Sequence, residues 1–157
     1  MSSAALDEAL GDSQRVLVDS SAIIGFHTAA ERTHALARHL FRRIEDASDP
    51  LTGFFSVVSA AEVLVRPIRT SAIAYAHVHA FLSAFPNFHV LTTDFNTAVR
   101  AANLRAKHNL QMPDAIIIAS GLIAGCDAIV TCDETWRHRL RPQFSSLRWV
   151  YLPSLVA

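Results

Sequence analysis

Five short apolar runs alternate with helix-length amphipathic stretches, and that alternation predicts an α/β fold. The expected architecture is a three-layer α/β/α sandwich around a mainly parallel sheet of about five strands, because strands separated by helical crossovers pair in parallel. Each run is bounded by turn or capping residues, as strands are. The chain has 157 residues, 51% of them hydrophobic, which suits one domain able to bury a substantial core without disulfides. A mean hydropathy of +0.26 argues against disorder over most of its length.

Taken in order, the start from Met1 to Gln14 carries Asp7, Glu8 and Asp12 and lacks the basic and apolar regions of a signal peptide. It reads as a flexible tail, leaving 15–157 as a single domain. Arg15–Val18 is the first strand. Thr33 to Ala47 places Leu36, Leu40, Phe41 and Ile44 on one helical face with arginines opposite. Phe54–Val58 is the second strand, and the Arg66-Pro67 step predicts a break between two helices. Ser71 to Phe85 is helical, with Ile73, Ala76, Ala80 and Phe81 sharing a face. Phe88–Leu91 is the third strand. Asp94 to His108 opens with an acid and closes with Lys107 and His108, as the helix dipole prefers. Pro113 to Ala124 starts on a proline at a position where no hydrogen bond is lost, and Gly125 ends it. Ala128–Thr131 and Arg148–Leu152 complete the strands. The stretches 29–32 and 46–50 read as loops within the domain.

Several function classes are excluded by composition. Fourteen basic and fourteen acidic residues give a formal net charge of zero, so bulk charge does not mark a nucleic-acid binder. The distribution says more: Lys107 is the only lysine, and arginines cluster at 38–43 and at Arg137, Arg139 and Arg141. Guanidinium forks suit phosphate contacts, although arginines on solvated helix faces read the same way. The richest apolar run, Ala115 to Ala124, is broken by Ser120 and Gly121 and is far short of the roughly 18 residues of a membrane span. Cys126 and Cys132 match no metal or redox spacing, which favours reduced thiols and a cytoplasmic protein. His77 and His79, two apart on a helix, point to different faces, and no zinc-binding histidine pattern occurs. No glycine-rich phosphate loop is present.

Four apolar segments each deliver one carboxylate: Asp19, Glu62, Asp114 and Asp133. Singly, each has a structural explanation. Asp19 and Asp133 follow strands that run into helices and are favoured N-caps. Ser59 and Glu62 have the S-x-x-E spacing of a capping box. Asp114 sits in a first helical turn. Jointly they say more, because Asp19, Glu62 and Asp133 lie past the carboxyl ends of parallel strands, where ligands bind in open α/β sheets. The helix opened by Asp114 leads into the fourth strand, so its start lies at the same edge. Gathered carboxylates raise one another's pKa unless a cation neutralises them, and magnesium or manganese takes oxygen ligands while keeping waters.

On these residues the chain resembles the PIN-domain ribonucleases, and among them the VapC-type toxins of bacterial toxin–antitoxin pairs. The resemblance rests on Leu17-Val18-Asp19-Ser20-Ser21, Ala61-Glu62, Pro113-Asp114-Ala115-Ile116-Ile117-Ile118-Ala119 and Val130-Thr131-Cys132-Asp133, and spans about residues 15 to 152. It implies that Asp19, Glu62, Asp114 and Asp133 are the acidic quartet of a Mg2+- or Mn2+-dependent endoribonuclease. Asp19 and Asp114 would be the principal metal ligands, while Asp133 and Glu62 would hold a second ion or orient water. Ser20 or Ser21 falls at the small hydroxyl position after the first acid, and Thr131 matches the threonine of the last motif. Trp136 stands where the family often has phenylalanine, and reads as packing. Arg137, Arg139 and Arg141 are RNA-phosphate candidates.

The implied partners are an RNA substrate, a basic-tailed antitoxin and a second copy of the chain, with no membrane. The antitoxin would insert a cationic side chain near Asp19 and Asp114 and lay a helix on 33–47 and 71–85. Rival classes are weaker. A magnesium-dependent phosphatase usually needs a D-x-D pair, and position 21 is Ser21. A phospho-receiver domain needs a lysine at a late strand end, and Lys107 closes a helix. A housekeeping RNA-processing nuclease and a non-catalytic acidic-pocket module are the remaining alternatives.

Overall fold

The computed structural model describes residues 2–156. Five strands, β1 (Arg15–Val18), β2 (Thr52–Ser56), β3 (Phe88–Leu91), β4 (Ala128–Thr131) and β5 (Arg148–Tyr151), form one sheet in the order β3-β2-β1-β4-β5. Every neighbouring pair is parallel, and Leu17 of the central strand pairs with Phe54 on one side and Ile129 on the other. Parallel neighbours require long crossovers, and the helical stretches supply them. The chain builds outward from β1 through β2 to β3, then returns to place β4 on the other side of β1. The carboxyl ends of β1 and β4 therefore flank the point where strand order reverses.

Alternation along each strand sorts the core into two layers. Val16, Val18, Phe55, Ala128 and Val130 face a layer built from α1 (Ser2–Leu10), α2 (Ser20–His27), α3 (His34–Glu45), α4 (Val57–Thr70) and α5 (Ala72–Ala84). Leu17, Phe54 and Ile129 face α6 (Phe95–His108), α7 (Met112–Ile123) and α8 (Glu134–Leu140). The sandwich is three layers deep, as expected, and the strands are uniformly apolar because both faces are covered. Gly121 lets α7 lie close on β1: a Cβ there would come within 2.6 Å of Leu17 Cδ2. Gly125 ends α7 in the left-handed region at φ +70°, and α3 buries Leu36, Leu40, Phe41 and Ile44 as its spacing predicts.

Elsewhere the structure corrects the sequence reading. The first residues are not a tail: Ser2–Leu10 is a helix whose Leu6 and Leu10 are fully buried. Asp7 Oδ1 lies 2.9 Å from His39 Nε2 and 3.1 Å from Arg43 Nη1 on α3, and Asp12 accepts from Arg148 at 2.7 Å. Two leucines at i, i+4 suffice to dock a helix, though acidic neighbours mask them in composition. The second strand starts and stops two residues early. Ser56, not Ser59, caps α4, accepting from Val58 N at 3.2 Å, so Ser59 and Glu62 are not a capping box. Ser59 is buried with its hydroxyl unpartnered. Pro67 does not break the chain, and α4 continues through it to Thr70, with its last turn tied by Thr70 Oγ1 donating to Arg66 O at 2.8 Å. On α5 the buried face is Val78 and Leu82, with Phe81 stacked on Phe26 at 5.0 Å, whereas Ile73 is 83% exposed. Pro113 takes the second position of α7, and a short 3-10 helix, Leu152–Leu155, follows β5.

Candidate active site

The carboxyl ends of β1 and β4 are joined by a hydrogen-bond network centred on Asp19. Its backbone N–H continues the ladder by donating to Val130 O at 3.0 Å, which fixes the side chain in the crevice between the strands. Asp19 Oδ1 caps α2, accepting from Ser20 N at 2.8 Å, with Ser20 Oγ at 3.4 Å. Oδ2 accepts from Ser21 Oγ at 2.6 Å and from Thr131 Oγ1 at 2.9 Å. Both hydroxyls also accept: Ser21 Oγ from Cys132 N and Thr131 Oγ1 from Asp133 N, each at 2.9 Å. Asp133 in turn caps α8, accepting from Thr135 N at 2.8 Å. The supporting residues read from the sequence, Ser20, Ser21 and Thr131, thus all contact Asp19.

Electrostatics ties in the other two acids. Burial pushes the Asp19 carboxyl up; Ser21, Thr131 and Ser20 pull it down, and the charge of Glu62 adds to the rise. Asp114, half-buried in the first turn of α7, is also pushed up by burial, with Asp133, Asp19 and Glu62 contributing. Asp114 therefore feels the charge of the other three acids across the carboxyl edge of the sheet, and Asp19 that of Glu62. Among the described residues none of them forms an ion pair with a basic side chain. Among the described residues no three His, Cys, Asp or Glu side chains are gathered closely enough to hold a metal ion as they stand. The donors available are carboxylate oxygens, which suit a hard cation such as magnesium or manganese better than zinc.

Trp136 does more than pack. It is buried beneath Asp114, its indole N–H lowers that carboxyl against the rise from burial, and Nε1 still meets no partner at hydrogen-bond geometry. No sequence spacing signals this contact, since it joins α8 to α7 across the crevice. The arginine run is dispersed: Arg139 Nη1 donates to Asn109 O at 2.6 Å, and His138 pairs with Glu134. Arg141, past the end of α8, lines a separate surface pocket with Trp149, so Arg137 is the member one turn from Asp133. The 38–43 cluster is structural in part, because Arg43 bridges Asp49 at 2.8 Å and Asp7 at 3.1 Å. Burial pushes the Cys126 thiol up to about 12, leaving it unreactive.

The expected docking groove also moves. The apolar face of α3 is fully committed to the core, so 33–47 cannot receive a partner helix. An apolar pocket of about 490 Å3 lies between α2, α4 and α5, and Glu62 borders it. Val65 and Ile68 of α4 and Ile73 of α5 are exposed beyond it.

Comparison with known proteins bears on this arrangement. The family model of the PIN domain matches residues 16–139. Comparison with curated protein sequences returned no match. Among solved structures, a toxin–antitoxin complex from Klebsiella pneumoniae is similar at TM-score 0.60 and 20% identity, covering 77% of this chain and 89% of that one. VapBC2 from Rickettsia felis, bound to a promoter DNA fragment, matches at TM-score 0.63 and 10% identity, over 86% and 96%. Mycobacterium tuberculosis VapC20, described as a sarcin-ricin-loop-cleaving toxin, matches at TM-score 0.58 and 20% identity, over 73% and 86%. With its sheet order, its crevice of carboxylates and the match over most of its length, the chain belongs to the PIN-domain family.

Proposed function

We propose that this PIN-domain protein is a divalent-metal-dependent endoribonuclease and the toxin of a toxin–antitoxin pair. The observation that carries the reading is the buried Asp19, held by Ser20, Ser21 and Thr131 at the strand switch point with three further carboxylates around it. Asp19 and Asp114 would hold Mg2+ or Mn2+, directly or through water. When bound, such an ion supplies charge stabilisation at a phosphate and a water acidic enough to lose its proton near neutral pH. The protein's own part is positioning. Four hydrogen-bond donors hold Asp19 rigid, and the indole N–H of buried Trp136 favours the charged form of Asp114. Asp133, fixed as the cap of α8, and the exposed Glu62 are the acceptors left to orient the attacking water. Arg137, one turn along α8 from Asp133, would meet the RNA backbone.

Toxicity requires a restraint, and an open crevice of carboxylates is a receptor for an arginine or lysine from a basic antitoxin. Its helix would lie on the exposed faces of α4 and α5. A second copy of the chain, as in the family resemblance, would set two crevices in one assembly, and the site of action would be the cytoplasm. Purified protein should cleave RNA with Mg2+ or Mn2+, stop in EDTA, and lose at least about a hundredfold in rate on Asp114→Asn, which corresponds to roughly 2.7 kcal/mol of transition-state stabilisation. Expression of the wild type alone should arrest growth, and Asp114→Asn should not. Cleavage that survives excess EDTA sinks the metal reading. Harmless expression of active wild type points instead to a housekeeping RNA-processing enzyme.

A further inference from the structure

We propose that Arg139 is a positioning residue of the carboxylate crevice: it clamps the turn between α6 and α7 to α8 and thereby sets the separation of Asp114 from Asp133. Its consequence for a metal rests on the ribonuclease reading above, since Asp114 and Asp133 are two of that site's acids. Residues 109–111 alone join α6 to α7, and so they aim the first turn of α7, where Asp114 sits. Their local supports are few. Gln111 precedes α7 without capping it through its side chain. Asn109 turns the chain in the left-handed region at φ 52°, its N–H donating to Arg105 O at 2.9 Å. The carbonyl of Asn109 then accepts from Arg139 Nη1 at 2.6 Å, across thirty residues of sequence. A guanidinium donor makes this a charge-assisted bond, the stronger class, and a cation at the end of α6 complements the helix dipole.

The helix that carries Arg139 is itself anchored. Trp136 and Leu140 are buried in the same core layer as Leu104, Leu110 and Ala115, and Leu110 belongs to the clamped turn. Trp136 and Arg139 are three apart and share a face of α8. The indole N–H of Trp136 acts on Asp114, while Asp133 caps the start of α8 by accepting from Thr135 N at 2.8 Å. One short helix thus holds both acids, Asp133 at its start and Asp114 through Trp136 and the clamped turn. Carboxylates that share an ion must keep their spacing to within a fraction of an ångström, and contacts behind the ligands supply that precision. A guanidinium engaged by a backbone carbonyl is also less free to meet a phosphate, which sets Arg139 apart from Arg137.

The test compares Arg139→Gln, Arg139→Lys and Arg137→Gln in the full chain; Arg139 is exposed, so its variants should fold. Mn2+ affinity is read from the electron paramagnetic resonance of the free ion. Arg139→Gln should weaken it roughly tenfold, as loss of a supporting contact does. Arg139→Lys, whose ammonium can donate to the same carbonyl, should recover most of the loss. RNA binding in EDTA should keep its salt slope in Arg139→Gln and lose about one unit of it in Arg137→Gln. The indole N–H resonance of Trp136, told from that of Trp149 with Trp149→Phe, should shift in Arg139→Gln without metal and return in Arg139→Lys. Unchanged Mn2+ affinity beside a lowered salt slope makes Arg139 a phosphate ligand and overturns the positioning role alone. An unmoved Trp136 resonance overturns it too, whatever the metal does. Wild type that neither binds Mn2+ nor cleaves RNA overturns the ribonuclease reading, while a Trp136 resonance shifted by Arg139→Gln still upholds the clamp.

Discussion

Asp19 accepts hydrogen bonds on both oxygens and its carboxyl is nevertheless raised, because burial outweighs the donors and Glu62 adds repulsion. Asp114 is raised for the same leading reason. A carboxyl whose folded pKa lies above its unfolded value makes the native state the stronger proton binder. Stability in the absence of metal is therefore fullest at low pH and is lost as pH rises from about the model-peptide value near 3.9 through the raised folded value. Asp114→Asn should accordingly raise the melting temperature in EDTA at pH 7.5, and the gain should shrink as pH falls toward 4. A melting temperature lowered at pH 7.5 would show that Asp114 is stabilised by a contact rather than strained by its neighbours. His27 runs the opposite way. Its folded value, lowered to about 4, makes the unfolded chain the stronger proton binder, so stability is lost as pH falls from about 6.5 toward 4. Replacing His27 with phenylalanine should flatten that limb of the stability profile, as read by thermal melts across pH 4–7. The carboxylates were legible in the sequence because each sits at the edge of an apolar run. Trp136 was not, since its effect on Asp114 joins α8 to α7, which no spacing encodes.

Among the elements, the strand-to-helix transitions carry both fold and site. Asp19, Ser56 and Asp133 each cap the helix after a strand, so one local device turns the chain at the carboxyl edge and delivers its side chains there. That is why β1, β4 and the helices after them could be placed from sequence. The junction after β2 could not, because Val57 and Val58 prolong a strand-like run into what is helix, and Ser59 mimics the true cap at Ser56. Pro67 misled in the other direction: its missing N–H falls late in α4, where the helix is ending. The tightest junction is α7 on β1. Gly121→Ala would drive a methyl group to 2.6 Å from Leu17 Cδ2, and Leu17 is fully buried, so repacking is confined. Overpacking of this kind costs typically about 1–3 kcal/mol. Because α7 carries Asp114 and β1 carries Asp19, the substitution should lower cleavage rate as well as the denaturation midpoint. A rate unchanged beside a lowered midpoint would mean that the strain relaxes away from the crevice.

In the whole molecule, α1 is the element that departs furthest from its sequence expectation, and it lies outside the region matched to the PIN domain, which begins at residue 16. It closes the same core layer as α2 and α3, where Leu6 and Leu10 pack with Val150, Leu152 and the buried face of α3. Composition hid it, because Asp7, Glu8 and Asp12 look like a solvated leader until Asp7 is seen bound to His39 and Arg43 and Asp12 to Arg148. Those polar contacts are partly exposed and add little; the two leucines matter more, at about 1.5–3 kcal/mol each. Against the roughly 5–15 kcal/mol by which a domain is stable, that is a large share. Removing residues 1–11 should lower the melting temperature on the order of 10 °C, while Leu6→Ala alone should cost part of that. The crevice lies at the carboxyl ends of β1 and β4, and α1 packs against α3, β5 and the final 3-10 helix. Metal-dependent cleavage at 20 °C should therefore survive the deletion. Loss of cleavage in a truncated chain that still shows a cooperative melt would tie α1 to the site itself, and an unchanged melting temperature would show that α1 contributes nothing to the cooperative unit.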